Sequence, residues 1–249
     1  MYKYFLDDKK AVFFGLDGVV VDTIPYWEEA FQTVIKNVGI DSTLYSPAYA
    51  RRGYTLQEKW ETFISNKNLS PKLATSELIA QTENTFIELV NNSDLDVIDG
   101  FWELTSELKQ KNLSLGLVSN SHKPIVNFLL DFVGIKDKVF DIVLTLEDVK
   151  NPKPSPDIYK LGANRLNTLP INLLSFEDSI PGAEASVKAG AKTLVIWDGS
   201  YAQHDYPDAV IYFFGDFTPL VGNMDADLDE QIKNFANSAL EEQKNEPQN

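Results

Sequence analysis

The sequence holds no cysteine, which excludes disulfides, thiolate chemistry and a zinc ribbon. Only two histidines occur, His122 and His204, far apart along the chain. A histidine-based metal site or a Ser-His-Asp triad therefore has little to draw on. Basic residues are scarce: 22 Lys and Arg stand against 37 Asp and Glu, a formal net charge of −15. A chain so acidic repels nucleic acid and anionic lipid, so neither is an expected partner. No apolar run reaches the length needed to cross a bilayer. The opening MYKYFLDDKKAVFF is no signal peptide, because its apolar run is short and broken by charge. The expectation is a soluble, cytoplasmic protein, monomeric or weakly dimeric.

Core-forming material is plentiful. Of 249 residues, 43% are hydrophobic, which argues against wholesale disorder. Short apolar runs rich in branched and aromatic residues occur at 11–16, 113–119, 140–145, 173–176 and 193–197, with a weaker one at 209–213. Runs that are apolar along their whole length suit parallel strands covered on both faces. Helical spacing lies between them at 101–111, 124–133, 156–166 and 181–189. Pro124 suits a first helical turn, and Gly134 and Gly190 suit helix ends. Strand then helix, repeated, predicts an α/β fold with a doubly wound, Rossmann-like parallel sheet.

One region breaks the alternation. Residues 23–94 show helical patterns at 26–38, 55–67 and 75–90 and no convincing strand. This reads as an inserted helical domain, with 91–94 as the return linker. The core is then 1–22 together with 95–224. The acidic stretch 225–249 reads as a loose helix or a disordered tail.

In open α/β sheets, sites form at the carboxyl ends of the strands. The first strand is followed by Gly15-Leu16-Asp17-Gly18 and, further on, Asp22-Thr23. The second is followed by Ser119-Asn120-Ser121. After the third comes the run from Lys150 through Lys153 to Tyr159, and after the fourth comes Glu177-Asp178-Ser179-Ile180-Pro181-Gly182. Together they form a ring with three carboxylates, a hydroxyl and an ammonium. Carboxylates gathered in one place repel each other unless a hard cation such as Mg²⁺ joins them. A lysine and a small hydroxyl beside that cation make a cradle for phosphate.

These four segments, in this order, resemble the four motifs of the haloacid dehalogenase superfamily. Its first motif reads Asp-x-Asp-Gly-x-x-x-Asp-Thr/Ser; here glycine, Gly15, stands where the family keeps its nucleophilic aspartate. Ser119-Asn120 matches the second motif, the run from Lys153 to Tyr159 the lysine motif, and the run from Glu177 to Gly182 the acidic motif. The helical insertion resembles the family's helical cap. The resemblance implies roles for each position. Asp17 would be the general acid and base, with its backbone carbonyl on Mg²⁺. Asp178 would bind Mg²⁺ directly, and Glu177 directly or through water. Ser119 would hold the phosphoryl group, with Gly18 and Asn120 beside it, and Lys153 would neutralise charge. Arg51, Arg52 and Gly53 resemble the substrate-contacting cap loop of sugar phosphatases and β-phosphoglucomutases, which makes Arg52 a substrate-binding candidate. The substrate implied is a small phosphorylated metabolite, most simply a sugar phosphate.

Glycine has no atom to accept a phosphoryl group. Three readings follow: an altered form of an active enzyme, a natural pseudoenzyme that binds a phosphorylated ligand or a protein partner, or direct attack by water with Asp17 as base. The intact remaining motifs favour the first. Phosphatase against β-phosphoglucomutase-like phosphomutase stays open. His122 reads as a surface or capping residue, and Lys150 as a weaker rival to Lys153.

Overall fold

A computed structural model describes residues 3–46, 52–135 and 139–221. Six strands, β1 (Ala11–Phe14), β2 (Ser114–Val118), β3 (Ile142–Leu144), β4 (Leu173–Glu177), β5 (Lys192–Ile196) and β6 (Val210–Phe214), form one sheet. All neighbours pair in parallel, in the order β3-β2-β1-β4-β5-β6. Strands beyond β1 extend in opposite directions from it, so the sheet's switch point lies at the end of β1, where such folds open a crevice.

Alternation within β1 shows how the layers form. Val12 and Phe14 pack into the cluster that holds helices α5 (Phe101–Gln110) and α6 (Lys123–Phe132). Ala11 and Phe13 face the other way, onto α7 (Asp157–Arg165) and α8 (Ile180–Ala189). A strand buried on both sides has to be apolar throughout, which is why the runs read as continuous. Phe14 is held hardest: its ring lies 5.2 Å from Phe176 and 5.9 Å from both Phe101 and Phe217. Such ring pairs add about 0.5–1.5 kcal/mol each beyond burial. They fix the position from which residues 15–17 leave the strand.

Three helices, α2 (Ile24–Asn37), α3 (Leu56–Asn66) and α4 (Thr75–Asn91), fill the interval between β1 and α5. They enclose a core of their own from Phe31, Val34, Ile35, Trp60, Phe63 and Leu78. Where this insertion meets the sheet layers, Trp27, Ala30, Phe86 and Val90 join the main core instead. The two chain crossings run side by side: Val21 bridges Val97, and Ile98 N–H donates to Val20 O at 2.8 Å. Among the described residues no helix is long and apolar enough to cross a membrane.

Two details differ from the sequence expectation. β3 begins at Ile142 rather than 140; Phe140 is buried in the main core but lies before the ladder. A four-residue helix α1, Lys3–Leu6, precedes β1 and packs Phe5 against Phe214. A single turn is too short to show helical periodicity. The acidic stretch 225–249 lies outside the described residues.

Candidate active site

Gly15 N–H bonds Phe176 O at 2.9 Å, and the chain then turns sharply, with Val20 N–H donating to Leu16 O at 2.9 Å. Gly18 takes φ +72°, and a Cβ there would stand 2.5 Å from Asp178 Oδ2. Only glycine lets the first loop wrap this closely around the fourth. The turn aims Asp17 into the cleft. Its Oδ1 accepts from Thr23 Oγ1 at 2.5 Å and Trp27 Nε1 at 2.9 Å, and its Oδ2 from Ser121 Oγ at 3.0 Å.

Lys153 lies in the floor of the cleft. Its ammonium donates to Val118 O at 3.2 Å and to Glu177 Oε1, which also accepts from Tyr159 OH. All three residues are at most 4% exposed. Burial and the Glu177 charge push the Tyr159 hydroxyl far above its ordinary value, so it stays a donor. Asn120 fixes the lysine segment by accepting from Lys153 N–H at 3.0 Å and donating to its carbonyl at 3.1 Å. Asp178 is 6% exposed, and its Oδ2 has no hydrogen-bond partner. Burial first, and Glu177 second, push its carboxyl up to about 7. An ionisable group held this way in a cleft is a mark of a functional site.

The insertion closes the cleft from above. Arg52 Nη2 bonds Asp198 Oδ2 at 2.5 Å, Asn120 Nδ2 donates to Gly53 O at 2.8 Å, and His122 Nδ1 meets Glu83 Oε1 at 2.6 Å. Gly53, at φ +77°, lets the insertion loop press onto the fourth strand-end segment, since a Cβ there would stand 2.3 Å from Ser179 Oγ. The cleft left between them is about 60 Å³.

A family model for haloacid dehalogenase-like hydrolases matches residues 12–196. The chain belongs to that family. A phosphorylated carbohydrates phosphatase from Thermotoga maritima is 30% identical over 191 residues, covering 74% of this chain and 83% of that protein. Among solved structures, CbbY from Rhodobacter sphaeroides in complex with phosphate superposes with a TM-score of 0.75 at 22% identity, over 85% of this chain and 96% of that one. A β-phosphoglucomutase from Clostridium difficile gives 0.73 at 23% identity, over 93% and 99%. At these identities the two structures speak for the haloacid dehalogenase-like fold.

Of the residues singled out by sequence, Gly15, Asp17, Arg52, Ser119, Asn120, Lys153, Glu177 and Asp178 line this one cleft. Gly18 backs it through Asp178. Arg51 lies outside the described residues. Lys150 and Asp22 are exposed and do not line the cleft. Sequence reading missed several partners. Thr23 and Tyr159 closed two of the quoted motifs, so their signal was present. Trp27 follows Thr23 by one helical turn, and its indole N–H was the only clue. For Lys59, Glu83 and Asp198, which also shape the cleft, nothing in the local pattern marked them.

Proposed function

We propose that this chain is built as a cap-bearing, Mg²⁺-dependent phosphohydrolase of small phosphorylated metabolites, sugar phosphates above all, and that Gly15 leaves it without its covalent acceptor. Residues 1–22 and 95–224 make the catalytic core, and 23–94 the cap. The observation that carries the reading is the convergence of four strand-end segments on one floor, with Gly15 bare in its middle. A Cβ at position 15 would stand 3.3 Å from Glu177 Oε2 and 3.0 Å from Val19 Cγ2. A side chain there would thus reach into the carboxylate cluster. The names of the relatives, a phosphorylated carbohydrates phosphatase and a β-phosphoglucomutase, support the substrate class.

The residues fit a hard divalent cation. Asp178 presents a buried oxygen without a partner, and the Asp17 carbonyl belongs to the loop after β1 that packs against Asp178 at Gly18. Glu177 is a weaker donor, since its Oε1 already serves Lys153 and Tyr159. Among the described residues no trio of acidic or histidine side chains converges as a ready-made metal cage. Mg²⁺ needs only one or two carboxylates, because it keeps its waters and takes the rest from phosphate. Bound there, it would supply charge neutralisation to the phosphoryl oxygens.

The chain's own groups have distinct tasks in this reading. Ser119 and Asn120 hold the phosphoryl group, with Lys153 countering its charge. Asp17, released from Thr23, Trp27 or Ser121, protonates the leaving oxygen and later takes a proton from water. A second reading, binding of a phosphorylated ligand without turnover, rests on Gly15 itself. The test is a phosphate-release assay with Mg²⁺ over a panel of sugar phosphates. The protein is expected to fall well below about 1 s⁻¹. A rate above that sinks the missing-acceptor reading and points to direct attack by water.

A further inference from the structure

Four cationic side chains line the cleft, and three are spoken for. Lys153 is paired with Glu177, Arg52 with Asp198, and His122 faces Glu83. The fourth is Lys59, and among the described residues no carboxylate oxygen lies within 4.0 Å of its ammonium. It projects from the first turn of α3, whose cap is closed by Thr55 and Glu58 bonding each other. A helix start already carries positive partial charge, so a lysine is poorly placed there. The acidic groups whose charges it feels are, in order of strength, Asp17, Asp178, Glu28 and Glu58. The first two belong to the core across the cleft, at the carboxylate cluster itself. Burial nevertheless holds the ammonium below its ordinary value, so its neighbours do not compensate its desolvation. With Arg52 and His122 already paired, Lys59 at its helix start is the roof's cation without an ion-pair partner among the described residues. A phosphoryl group lying between Asp17, Ser119 and Lys153 would sit beneath it.

We propose that Lys59 is the cap's own anion-binding residue, which neutralises the substrate's phosphate from above when the cap is closed. The inference rests on the phosphohydrolase reading and extends it to a named residue of the insertion. It makes closure part of substrate recognition: the core alone offers one ammonium, already shared with Glu177, and the second arrives with the roof. It also favours substrates small enough to let α3 descend onto the phosphate.

The experiment is calorimetric titration of inorganic phosphate into the full chain at pH 7 with millimolar Mg²⁺, for the parent, Lys59→Met, Lys59→Arg and Ser119→Ala. Thermal melts without phosphate accompany each. Lys59→Met is expected to weaken phosphate binding about tenfold or more, while Lys59→Arg stays within about threefold. Without phosphate, Lys59→Met should melt no lower than the parent, because it removes a cation that lacks a partner. A residue that merely packed the roof would lower the melting temperature instead. If Ser119→Ala weakens binding but Lys59→Met binds within about twofold of the parent, the role of Lys59 is wrong and the phosphate site stands. Lys59→Met melting clearly lower with binding unchanged has the same meaning. If the parent binds no phosphate at all, the phosphohydrolase reading falls and the Lys59 proposal falls with it.

Discussion

On the core side of the cleft, Lys153 and the buried Tyr159 both donate to Glu177, and the side chains of Lys153 and Glu177 are only 5% and 2% exposed. On the insertion side, the links to the core join side chains far more open to water: 14% and 50% for Arg52 and Asp198, 35% and 21% for His122 and Glu83. The chemistry of the two sets is similar, but their energetic weight is not. Removing one member of a buried pair strands a charge in low dielectric and costs about 3–5 kcal/mol. Breaking a solvent-exposed pair costs about 0–1 kcal/mol. The floor is therefore a fixed template and the roof a releasable one. The cleft as it stands holds about 60 Å³, well below the roughly 300–1,000 Å³ of usual ligand sites, so admitting the sugar phosphate proposed above would require the roof to lift.

The largest effect should come from changing the floor at its one bare position. Gly15→Asp is expected to raise phosphate-ester turnover by about 10⁵–10⁶-fold, or roughly 7–8 kcal/mol of barrier, the usual worth of a covalent nucleophile. The backbone allows the change, since Gly15 does not need a positive φ and Val19 has to yield only a few tenths of an ångström. The new carboxylate would face Glu177. Like charges at about 4–6 Å cost on the order of 1–4 kcal/mol per pair. The metal-free variant should then melt below the parent and recover with millimolar Mg²⁺. An aspartate form that stays inactive over a broad panel of phosphate esters would remove the altered-enzyme reading and leave the binding-only one.

Next in size is the buried pair itself. Lys153→Met should lower unfolding stability by about 3–5 kcal/mol in urea melts. Adding Glu177→Leu to it should restore most of the loss, because both charges are then gone. A single variant as stable as the parent would show that the floor is not the rigid partner in the comparison.

The same contrast explains what the sequence disclosed. Every strand of the sheet and all three insertion helices were legible, because burial on both faces makes β1 apolar throughout and because Phe31, Val34 and Ile35 repeat at helical spacing. The floor was legible because its residues follow strand ends, where spacing along the chain sets position in space. The roof was not. Lys59, Glu83 and Asp198 reach the cleft only through the way α3, α4 and the loop after β5 are laid across it. Polar positions on a helix give no local sign of what they will face. Arg52, which the sequence offered as a substrate contact, lines the cleft and bonds Asp198 across it.

A smaller effect is expected from the roof's strongest exposed link. Arg52→Ala should change unfolding stability by no more than about 1 kcal/mol. It should nonetheless open the molecule, seen as a larger radius of gyration in small-angle scattering without ligand. An unchanged radius would mean that the Asn120–Gly53, His122–Glu83 and Trp27–Asp17 bonds hold the roof without Arg52.

The smallest effect is set by pH. The hydrogen bond to Glu83, aided by the charges of Glu83 and Glu147 and opposed by partial burial, raises His122 above its ordinary value of about 6.5. A histidine whose pKa is raised in the folded state contributes stability that is fully present below the unfolded value. That stability is lost as pH rises through the folded one. The link from α6 to α4 should therefore be at full strength near pH 6 and fade on the alkaline side of about 6.5. Both groups keep contact with water, so the change should stay within about 1 kcal/mol. Fluorophores on α4 and α6 would report it as a widening of the cleft between pH 6 and pH 9 in the parent. His122→Gln should flatten that response, since glutamine has no proton to lose, and Glu83→Gln should flatten it by removing the charge that holds the proton. A variant that opens with the same pH profile as the parent would show that this contact does not hold the roof, leaving Arg52 and Asn120 as the links that matter.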